Sequence, residues 1–121
     1  MKIAVVAGGL SPERDVSLSS GSLIANALLE AGHRVALVDV YEGFAGNAGS
    51  LFRDASSPDR YSYRVPEAEP DLEAIQRKNG NRKELVGPGV LELCRSADVV
   101  FVALHGAMGE NGQFQAFLDV H

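Results

Sequence analysis

The stretch that decides the fold is IAVVAGGLSPERDVSLSSG, residues 3–21. Its first five residues are apolar and end at a glycine pair, which is typical of a strand buried on both faces of a parallel sheet. A polar loop, residues 10–15, follows, and apolar residues then recur at helical spacing as far as Gly32, a suitable C-terminal cap. This pattern predicts a helix with Asp15 or Ser17 at its N-cap. The residues that share one stripe of this helix are Val16, Ser20, Leu23, Ile24, Ala27, Leu28 and Ala31.

Outward from this helix the chain alternates between strands and helices. Residues 35–40 predict a second strand, and strand, helix and strand at this spacing form a right-handed βαβ unit. Residues 99–104 predict the strongest strand, preceded by a helix over residues 88–96 with Pro88 in its first turn. A last helix is expected from about Gln113. The alternation predicts an α/β fold of the doubly wound type.

Residues 41–70 break this pattern and are interpreted as an irregular, loop-rich insertion. Six glycines and prolines punctuate them, and so long a connection is unusual in a compact domain. One short strand is expected around residues 61–65. A short helix over residues 71–78 follows, and the turn residues 79–81 end it.

Composition and charge restrict the function classes. The 121 residues suffice for one domain, and 45% apolar and 22% charged residues are typical of a soluble globular protein. A net charge of −5 leaves no basic surface for a phosphate backbone, so we expect no nucleic-acid partner. No apolar run approaches the roughly 18 residues of a membrane span, and we expect a cytoplasmic protein with no membrane partner. Cys94 is interpreted as a buried hydrophobe, and the histidines lack metal-ligand spacing, which predicts no metal site.

Two polar loops leave the carboxyl ends of predicted strands, where ligands bind in open parallel sheets. They are residues 8–15 and residues 105–112, and glycines near the start of each let the backbone approach a ligand closely. The first loop has neither the G-x-G-x-x-G nor the P-loop spacing, so it gives little support for phosphate binding. Asp39, at the end of the second strand, would suit a ribose hydroxyl.

Glu13 and His105 are the candidate site residues in these two loops. Glu13 is either a carboxylate that grips an ammonium group or a solvated charge that complements the helix dipole. Arg14 would pair with Glu13 or face water. His105 either donates to a carboxylate or phosphate, or packs against backbone. In the functional interpretation, both side chains face one crevice.

Both loops carry a family signature. Residues 8–21 resemble the G-G-x-S-x-E-R-x-V-S-L-x-S-G signature of D-alanine–D-alanine ligases, and residues 104–115 resemble the same family's L-H-G-x-x-G-E-D-G-x-x-Q. The two segments occur in the family's order, each at a predicted strand exit. Asn111 replaces the usual Asp, and Ala116-Phe117 replaces a small glycine-containing step. The chain therefore resembles the N-terminal domain of this family.

The resemblance implies a Rossmann-like (pre-ATP-grasp) parallel sheet flanked by helices. Residues 1–121 would form the N-terminal substrate-binding domain of a larger ligase, whose ATP-grasp domains are absent here. The resemblance implies catalytic roles for Glu13 and His105: Glu13 holds the amino group of the first D-alanine, and His105 lies beside this substrate and the phosphate passing to it. It implies that Ser17 belongs to the substrate site by ordering the loop and the helix start.

The reaction that the resemblance implies joins two D-alanines through an acyl phosphate, in peptidoglycan synthesis and hence cell-wall biogenesis and cell shape. It implies ATP and Mg²⁺ in the full-length enzyme, which would be a homodimer, whereas the fragment alone is expected to bind neither and to be inactive. Three alternatives stay open. They are a D-Ala–D-Ser or D-Ala–D-lactate ligase, a stand-alone nucleotide-binding or flavodoxin-like module, and an interaction domain.

Overall fold

The computed structural model describes residues 1–57 and 59–104 and the backbone of residues 118–119. Within these residues the elements are, in chain order, β1 (Lys2–Ala7), α1 (Arg14–Glu30), β2 (Arg34–Asp39), a 3₁₀ helix (Ala48–Leu51), α2 (Leu72–Lys78), α3 (Val90–Ser96), β3 (Val99–Val102) and β4 (Leu118–Asp119). The helix expected from about Gln113 begins in residues 105–117, which lie outside the described part of the chain.

The sheet has the strand order β2-β1-β3-β4. β1 pairs in parallel with both neighbours, with Val5 opposite Leu37 on one side and Phe101 on the other. β4 is a two-residue antiparallel strand at the edge, next to β3, which no sequence pattern indicated. The predicted α/β fold, a parallel sheet flanked by helices, is confirmed.

β1 separates two hydrophobic cores because its side chains alternate between the two faces of the sheet. The core on the α1 side contains Ile3, Val5, Ala7, Ala25 and Leu29. The core on the α3 side contains Ala4, Val6, Val90 and Leu93. All residues from 3 to 7 are buried, so the interpretation of this run as a strand covered on both faces is confirmed. The two helices therefore lie on opposite faces.

Helix α1 is present as predicted, but its N-cap and its buried face differ from the prediction. Glu13 is the N-cap residue, so the expectation of Asp15 or Ser17 at that position is wrong. The buried face consists of Arg14, Asp15, Ser17, Gly21, Ser22, Ala25 and Leu29. Leu23, from the predicted apolar stripe, is 70% exposed. A Cβ on Gly21 would lie 2.9 Å from the Cβ of Ala7, so small residues face the sheet and let α1 approach β1 closely.

The connection over residues 41–70 is held by side chains, and the strand expected at residues 61–65 is wrong. Asn26 of α1 donates to the carbonyl of Tyr61 and accepts from its amide, both at 2.8 Å. Arg53 pairs with Val35 of β2 as an isolated antiparallel bridge. Because a side-chain amide satisfies the backbone of Tyr61, this segment forms no ladder with a neighbouring strand.

The two short helices are present as predicted, except that α3 begins two residues later than expected. Asp71 caps α2, and its carboxylate accepts a backbone amide hydrogen at 3.0 Å, as favoured at a helix start. Helix α3 begins at Val90 instead of Pro88, because Gly89 has a φ of 82°, a left-handed conformation that a helix cannot include. Cys94 of α3 is half-buried against the core, and this burial raises the pKa of its thiol.

Candidate functional site at the carboxyl edge of β1 and β3

The strand order places a switch point between β1 and β3. From β1 the chain crosses through α1 to β2 on one side, and it then returns to β3 on the other side of β1. The carboxyl ends of β1 and β3 therefore flank the position at which open α/β sheets bind ligands. The loop beginning at Gly8 leaves one of these ends, and the chain after Val102 leaves the other.

Ser17 joins the two strand exits. Its hydroxyl accepts from the amide of Gly8 at 2.8 Å and donates to the carbonyl of Ala103. The side chain is fully buried, so it contacts the loop backbones and is not open to a ligand in solution. One hydroxyl thus holds the start of the Glu13 loop against a residue two positions before His105.

Glu13 occupies the N-cap of α1 with its side chain exposed. Its Oε2 accepts from the Ser11 hydroxyl at 2.9 Å, and its amide donates back to the same hydroxyl at 3.1 Å. Its carbonyl accepts from the amide of Ser17 at 3.0 Å, which begins the helical hydrogen bonding. The carboxylate is therefore supported by a buried serine, and its exposure leaves it accessible to a cationic ligand.

Arg14 is buried and neither pairs with Glu13 nor faces water, so both sequence interpretations of it are wrong. One nitrogen donates to the carbonyl of Gly9 at 2.7 Å, and the other bonds the carboxylate of Asp39. The carboxylate of Glu42 lies 3.6 Å from the same nitrogen. The carboxylates of Asp39 and Glu42 therefore stabilise the buried guanidinium of Arg14.

Asp39 is fully engaged within the protein, and the interpretation that it suits a ribose hydroxyl is wrong. Its Oδ2 binds Arg14. Its Oδ1 accepts from the amides of Gly9, Tyr41 and Glu42 at 3.3, 2.9 and 3.1 Å. Sequence reasoning missed the Arg14–Asp39 pair. The available signal was an acidic residue that ends the strand parallel to β1.

The glycine pair after β1 shapes a turn. Gly8 and Gly9 have φ values of 77° and 93°, and a Cβ on Gly8 would lie 2.7 Å from the carboxyl group of Asp39. Both amides donate inward, to Ser17 and Asp39. They are therefore not arranged as a phosphate cradle, in agreement with the missing nucleotide-binding spacing.

The segment after Tyr61 passes over the first turn of α1. The hydroxyl of Tyr63 donates to Asp15, and burial, followed by the bond and the charge of Asp15, raises the pKa of Tyr63 to about 12. A small cavity of about 150 Å³ lies between Pro12, the start of α1 and residues 65–70. This segment therefore forms one wall beside the Glu13 loop.

His105 lies outside the described residues, as do residues 106–117. The structure describes this side of the site as far as Leu104, which is buried. Among the described residues, no group of three or more His, Cys, Asp or Glu side chains could hold a metal ion. No helix in that same part of the chain is long and apolar enough to cross a bilayer.

Comparison with known proteins identifies similar sequences. The family model described as "D-ala D-ala ligase N-terminus" matches residues 2–121. A D-alanine–D-alanine ligase of Pediococcus pentosaceus is 44% identical over the whole of this chain and 35% of its own length. The corresponding enzyme of Lacticaseibacillus casei is 40% identical, with coverage of 100% and 34%. The chain thus spans about a third of the length of these relatives. No solved structure matches it significantly.

Proposed function

Because this chain belongs to the D-ala D-ala ligase N-terminus family, we propose that it is the substrate-binding N-terminal domain of an ATP-dependent ligase that joins two D-alanines. The supporting match covers residues 2–121 and so includes both signature loops. The family assignment does not favour a stand-alone flavodoxin-like module. The relatives carry the name D-alanine–D-alanine ligase, which likewise does not favour D-serine or D-lactate as second substrate.

Glu13 binds the ammonium group of the first D-alanine. The observation that carries this role is an exposed carboxylate at the switch point of the sheet, supported from below by Ser11. A charge-assisted hydrogen bond between an ammonium and a carboxylate contributes about 1.5–3 kcal/mol when partly desolvated. Glu13 therefore selects an amino acid as the first substrate by binding the positively charged ammonium group of that substrate.

Ser17 and His105 complete the site in different ways. Ser17 contributes by holding the two strand exits together, since its hydroxyl bonds Gly8 and Ala103. His105 follows Ala103 by two positions, and this proximity supports its placement beside the same substrate as an anion-binding group. The site residues are therefore Glu13 and His105 as the groups that touch substrate, and Ser17 as the buried link.

The described residues do not fit ATP or Mg²⁺. The amides of Gly8 and Gly9 are directed inward, and these residues hold no cluster of potential metal ligands. We assign both groups to parts of the full-length protein outside this chain and expect the chain alone to have no turnover. The family resemblance is the support for a cytoplasmic homodimer that acts in peptidoglycan synthesis.

Phosphate release by the full-length protein tests this function. With ATP and Mg²⁺ present, D-alanine is expected to stimulate phosphate release, with D-alanyl-D-alanine as the product found by chromatography. Parallel reactions pair D-alanine with D-serine or D-lactate and are expected to give little mixed product. A mixed product formed in preference to the D-alanine dipeptide would overturn the assignment of the second substrate. No stimulation by any of the three compounds would overturn the ligase itself.

A further inference from the structure

We propose that Arg14 and Asp39 are positioning residues that keep the Glu13 carboxylate free and correctly oriented for substrate. The inference rests on the proposed binding of the D-alanine ammonium by Glu13. It concerns a pair that touches no substrate: Arg14 is 7% exposed and Asp39 12% exposed in their side chains. The pair acts through the loop that carries Glu13.

Arg14 closes this loop into a ring. Its side chain donates to the carbonyl of Gly9 at 2.7 Å, while its own amide donates to the carbonyl of Ser11 at 3.0 Å. Glu13 lies inside this ring, between Ser11 and Arg14 in the sequence. The ring is attached to the sheet through Asp39, which β2 places opposite Ala7 in the parallel register. The Glu13 backbone therefore has little freedom.

The charges around Arg14 also keep the Glu13 carboxylate available to a substrate. Glu13 and Arg14 are adjacent in sequence, so an Arg14 side chain on the outer side of the loop would compete with a substrate cation for the Glu13 carboxylate. Asp39 and Glu42 instead bind the guanidinium on the inner side of the loop. Among the residues that the structure describes, the hydroxyl of Ser11 is the hydrogen-bond donor to the Glu13 carboxylate. Asp39 thus keeps Arg14 away from the carboxylate that must receive a substrate cation.

The geometry also explains why arginine is needed. Two different nitrogens of Arg14 bind Gly9 and Asp39. A lysine retains the charge but has a single nitrogen on a flexible stem, so it cannot reproduce this two-pronged contact. Arg14→Lys therefore weakens the ring without changing the net charge. Asp39→Asn removes the charge that attracts Arg14 and keeps a similar shape.

The test uses the full-length ligase with Arg14→Lys, Asp39→Asn and the control Lys78→Gln. Lys78 belongs to the same charged network, 3.2 Å from Glu42, but is 74% exposed. We expect both inner variants to raise the KM for the first D-alanine about tenfold, with the KM for ATP changed less than about twofold, because only orientation of one substrate is lost. The control variant should leave both KM values within about twofold.

A double-variant series separates positioning from a merely structural role. In a Glu13→Gln background, Arg14→Lys or Asp39→Asn should raise the D-alanine KM no further, because the oriented charge is already gone. Additive effects would overturn the inference, as would folded Arg14→Lys and Asp39→Asn proteins with a normal D-alanine KM. If Arg14→Lys does not fold, the outcome for Asp39→Asn decides. An unchanged KM in Glu13→Gln alone would contradict the proposed function of Glu13 instead.

Discussion

The loop after β1 and the connection over residues 41–70 are both irregular, yet the protein holds them differently. The short loop is bound from inside by Ser17, Arg14 and Asp39, all largely buried. The long connection contacts the core near its start, through the buried Tyr41 and Ala48. Its later part is held by partly buried hydrogen bonds to the side chains of α1, from Asn26 to Tyr61 and between Asp15 and Tyr63, which we call the outer ties. We therefore expect the backbone to be most rigid around the Glu13 carboxylate, and residues 61–70 to tolerate change at smaller cost.

Among the contacts of these two segments, loss of the Ser17 hydroxyl should lower the free energy of unfolding the most. Ser17→Ala leaves a buried amide at Gly8 and a buried carbonyl at Ala103 without their partner, which should cost about 2–4 kcal/mol. Amide hydrogen exchange of the full-length protein, measured on peptides covering β1 and α1, reports this local loss.

Ser22→Ala is the matched control on the same helix. Ser22 is also buried, and its hydroxyl donates to the carbonyl of Leu18 at 2.8 Å. That carbonyl keeps its helical partner, so the expected cost is below about 1 kcal/mol. If Ser17→Ala and Ser22→Ala show equal protection from amide hydrogen exchange, the Ser17 hydrogen bonds between the two strand ends stabilise the protein no more than the Ser22 bond does.

A smaller effect is expected at the outer tie, where Tyr63→Phe removes the hydrogen bond to Asp15. The group is half-buried, so the expected cost near neutral pH is about 1 kcal/mol. The pKa of Tyr63 is raised from 10.0 to about 12 in the folded protein. Its contribution is therefore complete below pH 10 and is lost as the pH rises toward 12.

Chemical unfolding of the wild-type and Tyr63→Phe proteins from pH 8 to pH 11.5 measures how the contribution of Tyr63 to stability depends on pH. The wild-type protein should lose its advantage over Tyr63→Phe across the upper part of that range. A difference that stays constant up to pH 11.5 would show that the Asp15 bond does not control the titration of Tyr63. An effect as large as that of Ser17→Ala would contradict the distinction between inner and outer ties.

Local patterns predicted most of the sheet and the exposed position of one candidate site residue. The apolar run ending at Gly8 predicted β1, and the position of Glu13 after it predicted an exposed carboxylate at the ligand edge. The Arg14–Asp39 pair could not be found this way, because its members are 25 residues apart and meet only through the parallel register of β1 and β2.

The buried face of α1 was equally hidden from local reasoning. Hydrophobic periodicity placed Leu23 on the apolar stripe, whereas the close approach of Gly21 to Ala7 selected a face of small residues. Residues 61–65 alternate weakly and resembled a strand, but their backbone partner is the side chain of Asn26. In both places a contact distant in sequence decided the outcome.

The most direct test of the proposed role of Glu13 is the steady-state KM for the first D-alanine in the full-length protein carrying Glu13→Gln. The substitution keeps the shape of the side chain and removes its charge, while Glu92→Gln, at an exposed position of α3 on the opposite face of the sheet, serves as the control. Loss of one charge-assisted bond predicts a KM about 10–100 times higher, with the KM for ATP unchanged. A D-alanine KM equal to that of the control would contradict the claim that this carboxylate binds the substrate.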